Sequence, residues 1–439
     1  MNIPELLAPA GTPKHLETAF AYGADAVYAG QPRYSLRVRN NSFKDAAAIG
    51  AGIQRAHELG KQFYLVSNIA PHNDKVRSYL RDLAPILEHK PDALIMSDPG
   101  LIMLVKEQWP DQPIHLSVQA NAVNWATVEF WRRQGISRVI LSRELALGEI
   151  RDIRERVPQM ELEVFVHGAL CMAYSGRCLL SGYMNHRDAN QGACTNACRW
   201  NYKEVQHTHD QTGDLIASSA ASDVRNAEPK EILLEEPNRP GSFIPAYEDE
   251  HGTYIMNSRD LRAVQHVAEL AAMGVHSLKI EGRTKSTYYV ARTTQVYRHA
   301  IDQAVQGKPF DMNLMNQLEA LSNRGYTEGF LRRHLPQEYQ TYEKGSSYLG
   351  TQQVVGTVMD ADDQWLTIDV KNRFSPNDPL ELITPAGNLQ FSAPVMENRK
   401  GVAMSHAPGS GHIVRIPRPP HMPEALSHSF LTRILPPRP

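Results

Sequence analysis

Short apolar runs alternate with stretches of helical period along most of the chain. "ELLAPAG" (5–11) has the form of a buried strand, and "TPKHLETAFAYG" (12–23) follows it as a helix ending at a glycine stop. The apolar run returns at "DAVYAG" (25–30), "QFYLVSN" (62–68), "ALIMSD" (93–98), "IHLSVQ" (114–119), "RVILSRE" (138–144), "LEVFVHG" (162–168) and "SLKIEG" (277–282). Between residues 74 and 90, Val76, Tyr79, Leu80, Leu83, Ile86 and Leu87 keep the spacing of one buried helix face. A further helix is expected over 258–274, and a helical stretch over 286–320. Eight such strands predict an α/β fold, a TIM-like (β/α)8 barrel. The rival is an open doubly wound sheet, but no G-x-G-x-x-G follows the first strand.

Strand after strand closes on a polar residue: Asn68, Asp98, Gln119, Arg143 with Glu144, His167, and Lys279 with Glu281. In a barrel these ends meet at one mouth, where the fold carries its chemistry. For any one of them, the plain alternative is a residue marking where the strand leaves the core.

Roughly ninety residues separate "LEVFVHG" from the helix expected at 258–274, where a connection of about 2–6 is usual. The predicted boundaries are therefore a barrel over 1–335 with an insertion at about 168–255, and a linker over 336–349. A small all-β, barrel-like domain follows over 350–439, where short strands are spaced by turn residues. The part of the insertion from 209 to 242 is polar and weakly patterned.

The net charge of −2 argues against a uniformly basic nucleic-acid coat and leaves room for a local basic groove. No run of about 18 apolar residues suggests a membrane span, and no basic-then-apolar leader opens the chain. A cytoplasmic location and reduced thiols are the expectation.

All four cysteines, Cys171, Cys178, Cys194 and Cys198, fall within 28 residues at the start of the insertion. Their spacing is C-x6-C-x15-C-x3-C. The expected compartment disfavours disulfides, and buried structural thiols would not gather this way. Four thiolates suit an iron–sulfur cluster or, as the alternative, tetrahedral zinc. Cys171 comes three residues after Gly168, so the ligands gather at the barrel mouth.

"EVFVHGALCMAYSGRCLLS" (163–181) resembles the signature of the collagenase-like putative peptidase family, E-x-F-x2-G-[SA]-[LIVM]-C-x4-G-x-C-x-[LIVM]-S. Glu163, Phe165, Gly168, Ala169, Leu170, Cys171, Gly176, Cys178, Leu180 and Ser181 match it. "LLAPAG", "GADAVYAG", "LIMSDPG", "HLSVQANAVN" and "SLKIEGRTKS" extend the likeness over roughly residues 4 to 335. The whole chain, small β domain included, is most similar to tRNA-modifying members of that family. The resemblance implies a [4Fe–4S] cluster on the four cysteines, supplied by iron–sulfur assembly machinery. It also implies conversion of the wobble uridine of tRNA to 5-hydroxyuridine without molecular oxygen, with prephenate or a similar dicarboxylate. Sister members hydroxylate a ribosomal RNA cytidine, with a longer C-terminal part, or a quinone precursor, with a shorter chain. A peptidase has less support: "HELGK" (57–61) lacks the second histidine of H-E-x-x-H, and no G-x-S-x-G occurs. Without a metal, Cys171 and His167 would be the candidate nucleophile and base.

A dicarboxylate calls for guanidinium forks and ammonium groups. Arg143, Lys279 and Arg283 are the first candidates, and Arg33, Arg37 and Arg39 the second. Arg33, Arg37 and Arg39 could equally hold RNA phosphates, and Lys279, Arg283 and Lys285 are open to either use. Glu144, Glu281 and His167 are the titratable groups for acid–base work, although Glu281 could instead neutralise Lys279. Asn68, Gln119 and Asn121 can offer amides to a uracil edge. The arms of the RNA would then need "RGYTEGFLRRH" (324–334) or the β domain, with Arg399, Lys400, Arg415, Arg418 and Trp365, unless that domain serves packing alone.

Overall fold

The eight apolar runs pair side by side and close on themselves. They form β1 (Glu5–Pro9), β2 (Ala26–Gly30), β3 (Gln62–Ser67), β4 (Ala93–Met96), β5 (Ile114–Leu116), β6 (Arg138–Ile140), β7 (Glu161–Ala169) and β8 (Ser277–Ile280). Each neighbouring pair is parallel, and β8 joins both β7 and β1, with Ser277 opposite Glu163 on one side and Glu5 on the other. The computed structural model describes residues 3–36, 42–170, 259–323, 325–332 and 351–436. It also describes Tyr174, Ser175, Arg177, Cys178, Asn190 and the backbone of five short strands between 207 and 254.

A helix follows every strand: α1 (Pro13–Ala21), α2 (Ala46–Glu58), α3 (Asn73–Leu87), α4 (Pro99–Gln108), α5 (Trp125–Arg133), α6 (Leu147–Arg156), α7 (Val267–Ala272) and α8 (Thr287–Val305). A ninth, α9 (Asn313–Glu319), follows α8. The chain turns from strand into helix at side-chain caps. Thr12, Asp45, Asp98, Asn124 and Ser286 each accept a hydrogen bond from the backbone N–H three residues on. Asp98 thus starts α4, which accounts for one polar strand end without any chemistry at the mouth.

Two expectations are corrected here. Residues 258–274 were expected to be helical throughout, yet Asp260–Arg262 is a strand, antiparallel to the end of β7, and α7 begins at Val267. β7 runs nine residues while β8 stops at Ile280. Its last backbone groups therefore need a partner, and Asp260–Arg262 supplies one. The insertion also holds more order than its polar composition suggested. Lys230–Glu235, Phe243–Asp249 and Gly252–Tyr254 form an antiparallel sheet, and His207–His209 pairs with Leu215–Ala217.

The second domain is one antiparallel sheet of seven strands: β9 (Gln352–Ala361), β10 (Trp365–Val370), β11 (Pro379–Thr384), β12 (Gly387–Ser392), β13 (Glu397–Asn398), β14 (Ile413–Pro417) and β15 (Phe430–Ile434). Their order is β12-β11-β15-β9-β10-β14-β13. The sheet folds over its own core, which includes Val355, Leu366, Ile368, Phe374, Leu382 and Val414. Its β11–β15 face lies on the barrel. Ile383 and Phe430 join the barrel's core, and Arg292 of α8 makes a buried ion pair with Glu381 at 3.1 Å. The Tyr22 hydroxyl, just past α1, reaches the carbonyls of Ile383 and His428, each at 3.1 Å. Among the described residues no helix is long and apolar enough to cross a membrane.

Candidate active site at the barrel mouth

A buried ionic column fills the barrel beneath the mouth. Glu163 of β7, fully buried, accepts a hydrogen bond from Lys279 of β8 at 2.7 Å and from Arg138 of β6 at 3.3 Å. Arg138 also holds Glu5 at 2.7 Å and Glu161 at 2.9 Å, and Glu5 takes the Tyr64 hydroxyl at 2.6 Å. These residues alternate along their strands, so their side chains share the interior. Burial pushes the Lys279 ammonium below its ordinary range, opposed by Glu163.

Above this column two aromatic rings carry three cations. Lys279 Nζ lies 4.4 Å from the centre of the Tyr28 ring and 5.4 Å from that of Phe165. The Arg143 guanidinium stands 3.9 Å over Phe165, and that of Arg283 stands 5.6 Å from Tyr28. Arg143 also pairs with Glu281 and donates to the Ala169 carbonyl at 3.1 Å. Gly30 lets Ser35 and Arg283 approach the strand end, since a Cβ there would come 2.3 Å from Ser35 Oγ and 3.0 Å from Arg283 Nη1. The three cations expected to meet carboxylates are thus brought together. Glu281 neutralises Arg143, two strands away, rather than Lys279.

The amide side is mostly self-satisfied. Asn68 accepts from the Leu36 N–H at 3.2 Å and donates to Gln119 Oε1 at 2.7 Å, where the Ser117 hydroxyl also donates. Asn68 is therefore held in place at both ends of its amide and is not offered to a base. Asn121, in a left-handed backbone conformation (φ 53°), donates to the carbonyls of Gln119 and Ser175, and among the described residues its buried Oδ1 has no partner. Glu144 accepts from the Ser142 hydroxyl at the same rim.

His167 does not join this group. Its ring sits among Tyr289, Tyr297 and Tyr326, with centroids 5.8, 5.5 and 5.5 Å away, and Nδ1 is 3.4 Å from the Tyr297 hydroxyl. Pairing of β7 with β8 slips between Lys279↔Phe165 and Ile280↔His167. That slip turns His167 to the outer face, against α8. Burial pushes the imidazole down to about 3, so it is neutral. A folded value below the unfolded one makes stability complete above about pH 6.5 and progressively lost as pH falls toward 3. The expected slope from this group is up to about 1.4 kcal/mol per pH unit. Buried His115, also shifted down, adds the same sign. Urea midpoints at pH 7 and pH 5 should therefore separate less in His167→Phe than in the wild type.

Arg33 forms an exposed ion pair with Asp82 at 2.7 Å on α3, away from the Tyr28–Phe165 cluster. Arg37 and Arg39 lie outside the described residues. Lys285 lies 5.4 Å from the Tyr289 ring. In the β domain Arg415 pairs with Glu397 beside Trp365, and Arg418 donates to the Asp362 carbonyl at 3.0 Å, while Arg399 and Lys400 are exposed.

Of the cysteines, Cys178 is described; Cys171, Cys194 and Cys198 are not. Cys178 is half-buried and in no disulfide. Its carbonyl accepts from Asn190, whose own carbonyl takes the Ala70 N–H just past β3, each at 3.2 Å. With the Asn121–Ser175 contact, this ties Ser175, Cys178 and Asn190 to the chain just past β3 and β5. A soft thiol donor there fits the chemistry of an iron–sulfur or zinc site.

Sequence reasoning passed over Glu163, Arg138, Tyr28 and Phe165 as site residues. The available signal was a carboxylate alternating with apolar residues inside a buried strand, "ELEVF".

A (β/α)8 barrel whose mouth gathers Lys279, Arg143 and Arg283 over the rings of Tyr28 and Phe165 is the class of protein that this fold and site define. The chain belongs to peptidase family U32: that family's model matches residues 11–341, and the model of its C-terminal domain matches 350–433. The chain is 59% identical over 440 residues to tRNA hydroxylation protein P of Escherichia coli (strain K12), covering 98% of this chain and 96% of that one. It is 59% identical over 425 residues to the protein of that name from Haemophilus influenzae, covering 94% and 92%. It is 29% identical over 344 residues to the 23S rRNA 5-hydroxycytidine C2501 synthase of E. coli, covering 78% of this chain and 44% of that one.

Proposed function

We propose that this protein hydroxylates tRNA, forming 5-hydroxyuridine at the wobble position with prephenate as co-substrate. A [4Fe–4S] cluster would be held by Cys171, Cys178, Cys194 and Cys198. The carrying observation is the 59% identity to the E. coli tRNA hydroxylation protein P, which runs through both domains. The mouth suits the reaction. Arg143, Arg283 and Lys279 receive the carboxylates, and Tyr28 and Phe165 hold those cations in place. The unpartnered Oδ1 of Asn121 accepts the N3–H of a uracil splayed from its loop. Glu144 and Glu281 are the carboxylates at hand for moving a proton. The cluster, when bound, would supply electron transfer or a Lewis-acidic iron. His167 has no acid–base part in this reading.

The test is nucleoside mass spectrometry on tRNA and ribosomal RNA from a deletion strain grown without oxygen. Loss of 5-hydroxyuridine from tRNA is expected. The intact gene should restore it and Cys171→Ala should not, the variant protein having lost the iron and acid-labile sulfide of the wild type. Unchanged tRNA beside lost 5-hydroxycytidine in ribosomal RNA would transfer the assignment to the ribosome.

A further inference from the structure

The strand Asp260–Arg262 forms one wall of a cavity of about 240 Å³ that is separate from the Tyr28–Phe165 cluster. Arg259, Arg262, Gln265, Tyr326 and Glu328 line it. Among the described residues, three polar atoms there are buried with no hydrogen-bond partner: Nε of Arg259, Nε of Arg262 and Oε1 of Gln265. A buried polar group without a partner is costly unless a ligand or water supplies one. The carboxylates nearby are engaged. Arg262 pairs with Glu319 and lies 4.8 Å over the Tyr326 ring. Glu328 takes His266 Nε2 at 2.8 Å and Arg332 at 3.3 Å.

Two guanidinium donors call for an anionic acceptor, and the amide oxygen calls for a donor beside it. A ribose-phosphate unit has both, in the phosphate oxygens and the 2′-hydroxyl. We infer that this cavity holds one ribose-phosphate of the RNA substrate. The inference rests on the tRNA reading above. Asp260 and Leu261 pair with Ala169 and Gly168, the residues that lead into Cys171. The cavity is therefore tied to the same end of β7 as the cysteine segment, where a contact would fix the RNA while a loop base enters the mouth.

Labelled unmodified tRNA is titrated against the full-length protein over a salt series, with a DNA stem-loop of matched sequence as comparison. Arg259→Gln is expected to weaken tRNA binding about three- to tenfold and to lower the slope of log K against log salt by about one. Gln265→Leu should weaken RNA and leave DNA unchanged. Arg259→Lys, which keeps the charge without the fork, should recover part of the affinity and show that the fold is intact. Wild-type affinity and slope in both Arg259→Gln and Gln265→Leu would overturn the inference, as would inorganic phosphate binding that Arg259→Gln abolishes without affecting tRNA. A wild-type protein that binds no tRNA would overturn the tRNA reading itself.

Discussion

Glu163→Ala is expected to cost about 3–5 kcal/mol of folding stability, the usual loss when one member of a buried charge cluster is removed. Glu163 is fully buried and stands between Lys279 and Arg138. Without it two cations share the barrel interior. Arg138 keeps Glu5 and Glu161, whereas Lys279, 3% exposed, is left over the faces of Tyr28 and Phe165. Glu163→Gln retains an acceptor and should lose less. Adding Lys279→Met to Glu163→Gln should return part of the stability, because a neutral pair replaces an orphaned charge. Urea unfolding followed by two optical probes would measure this, and a loss below about 1 kcal/mol for Glu163→Ala would show that the column is not what holds the mouth.

With prephenate as the proposed co-substrate, Arg143→Ala is expected to raise its KM about ten- to hundredfold, the range for a charge-assisted hydrogen bond to a carboxylate. The substitution removes a cation poised 3.9 Å over Phe165 and with it the Arg143–Glu281 ion pair. Arg143→Lys keeps the charge but cannot hold both Glu281 and the Ala169 carbonyl in the same fork. The measurement is the rate of 5-hydroxyuridine formation against prephenate at saturating tRNA, with tRNA affinity measured separately. An unchanged KM for prephenate with weaker tRNA binding would give Arg143 to the RNA instead.

The barrel was legible because its signal is local. Each strand is a short apolar run, and five of the helices open on a Thr, Ser, Asp or Asn cap. The convergence of Arg143, Lys279 and Arg283 was legible too, since parallel strands bring their ends to one side. His167 was misread because a single slipped residue reverses every later side chain, and nothing in "LEVFVHG" announces it. Asn68 could not be judged from its own strand: its partners are Leu36 and Gln119, on other loops. The column escaped for the same reason. Glu163 lies 25 positions from Arg138 and 116 from Lys279, and these bonds exist only once the sheet has closed.

The seam between the two domains bears on how such proteins can change over time. Two separate family models divide this chain near residue 345, as though its halves could be exchanged freely. Yet Ile383 and Phe430 complete the barrel's apolar core, and the Arg292–Glu381 pair is sealed between the halves. A barrel that lost this sheet would expose a buried guanidinium, the Tyr22 side chain and Tyr288, whose ring centre lies 5.7 Å from that of Phe430. Shuffling the C-terminal half between relatives would therefore require matched changes on α1 and α8, which makes the two modules one inheritance.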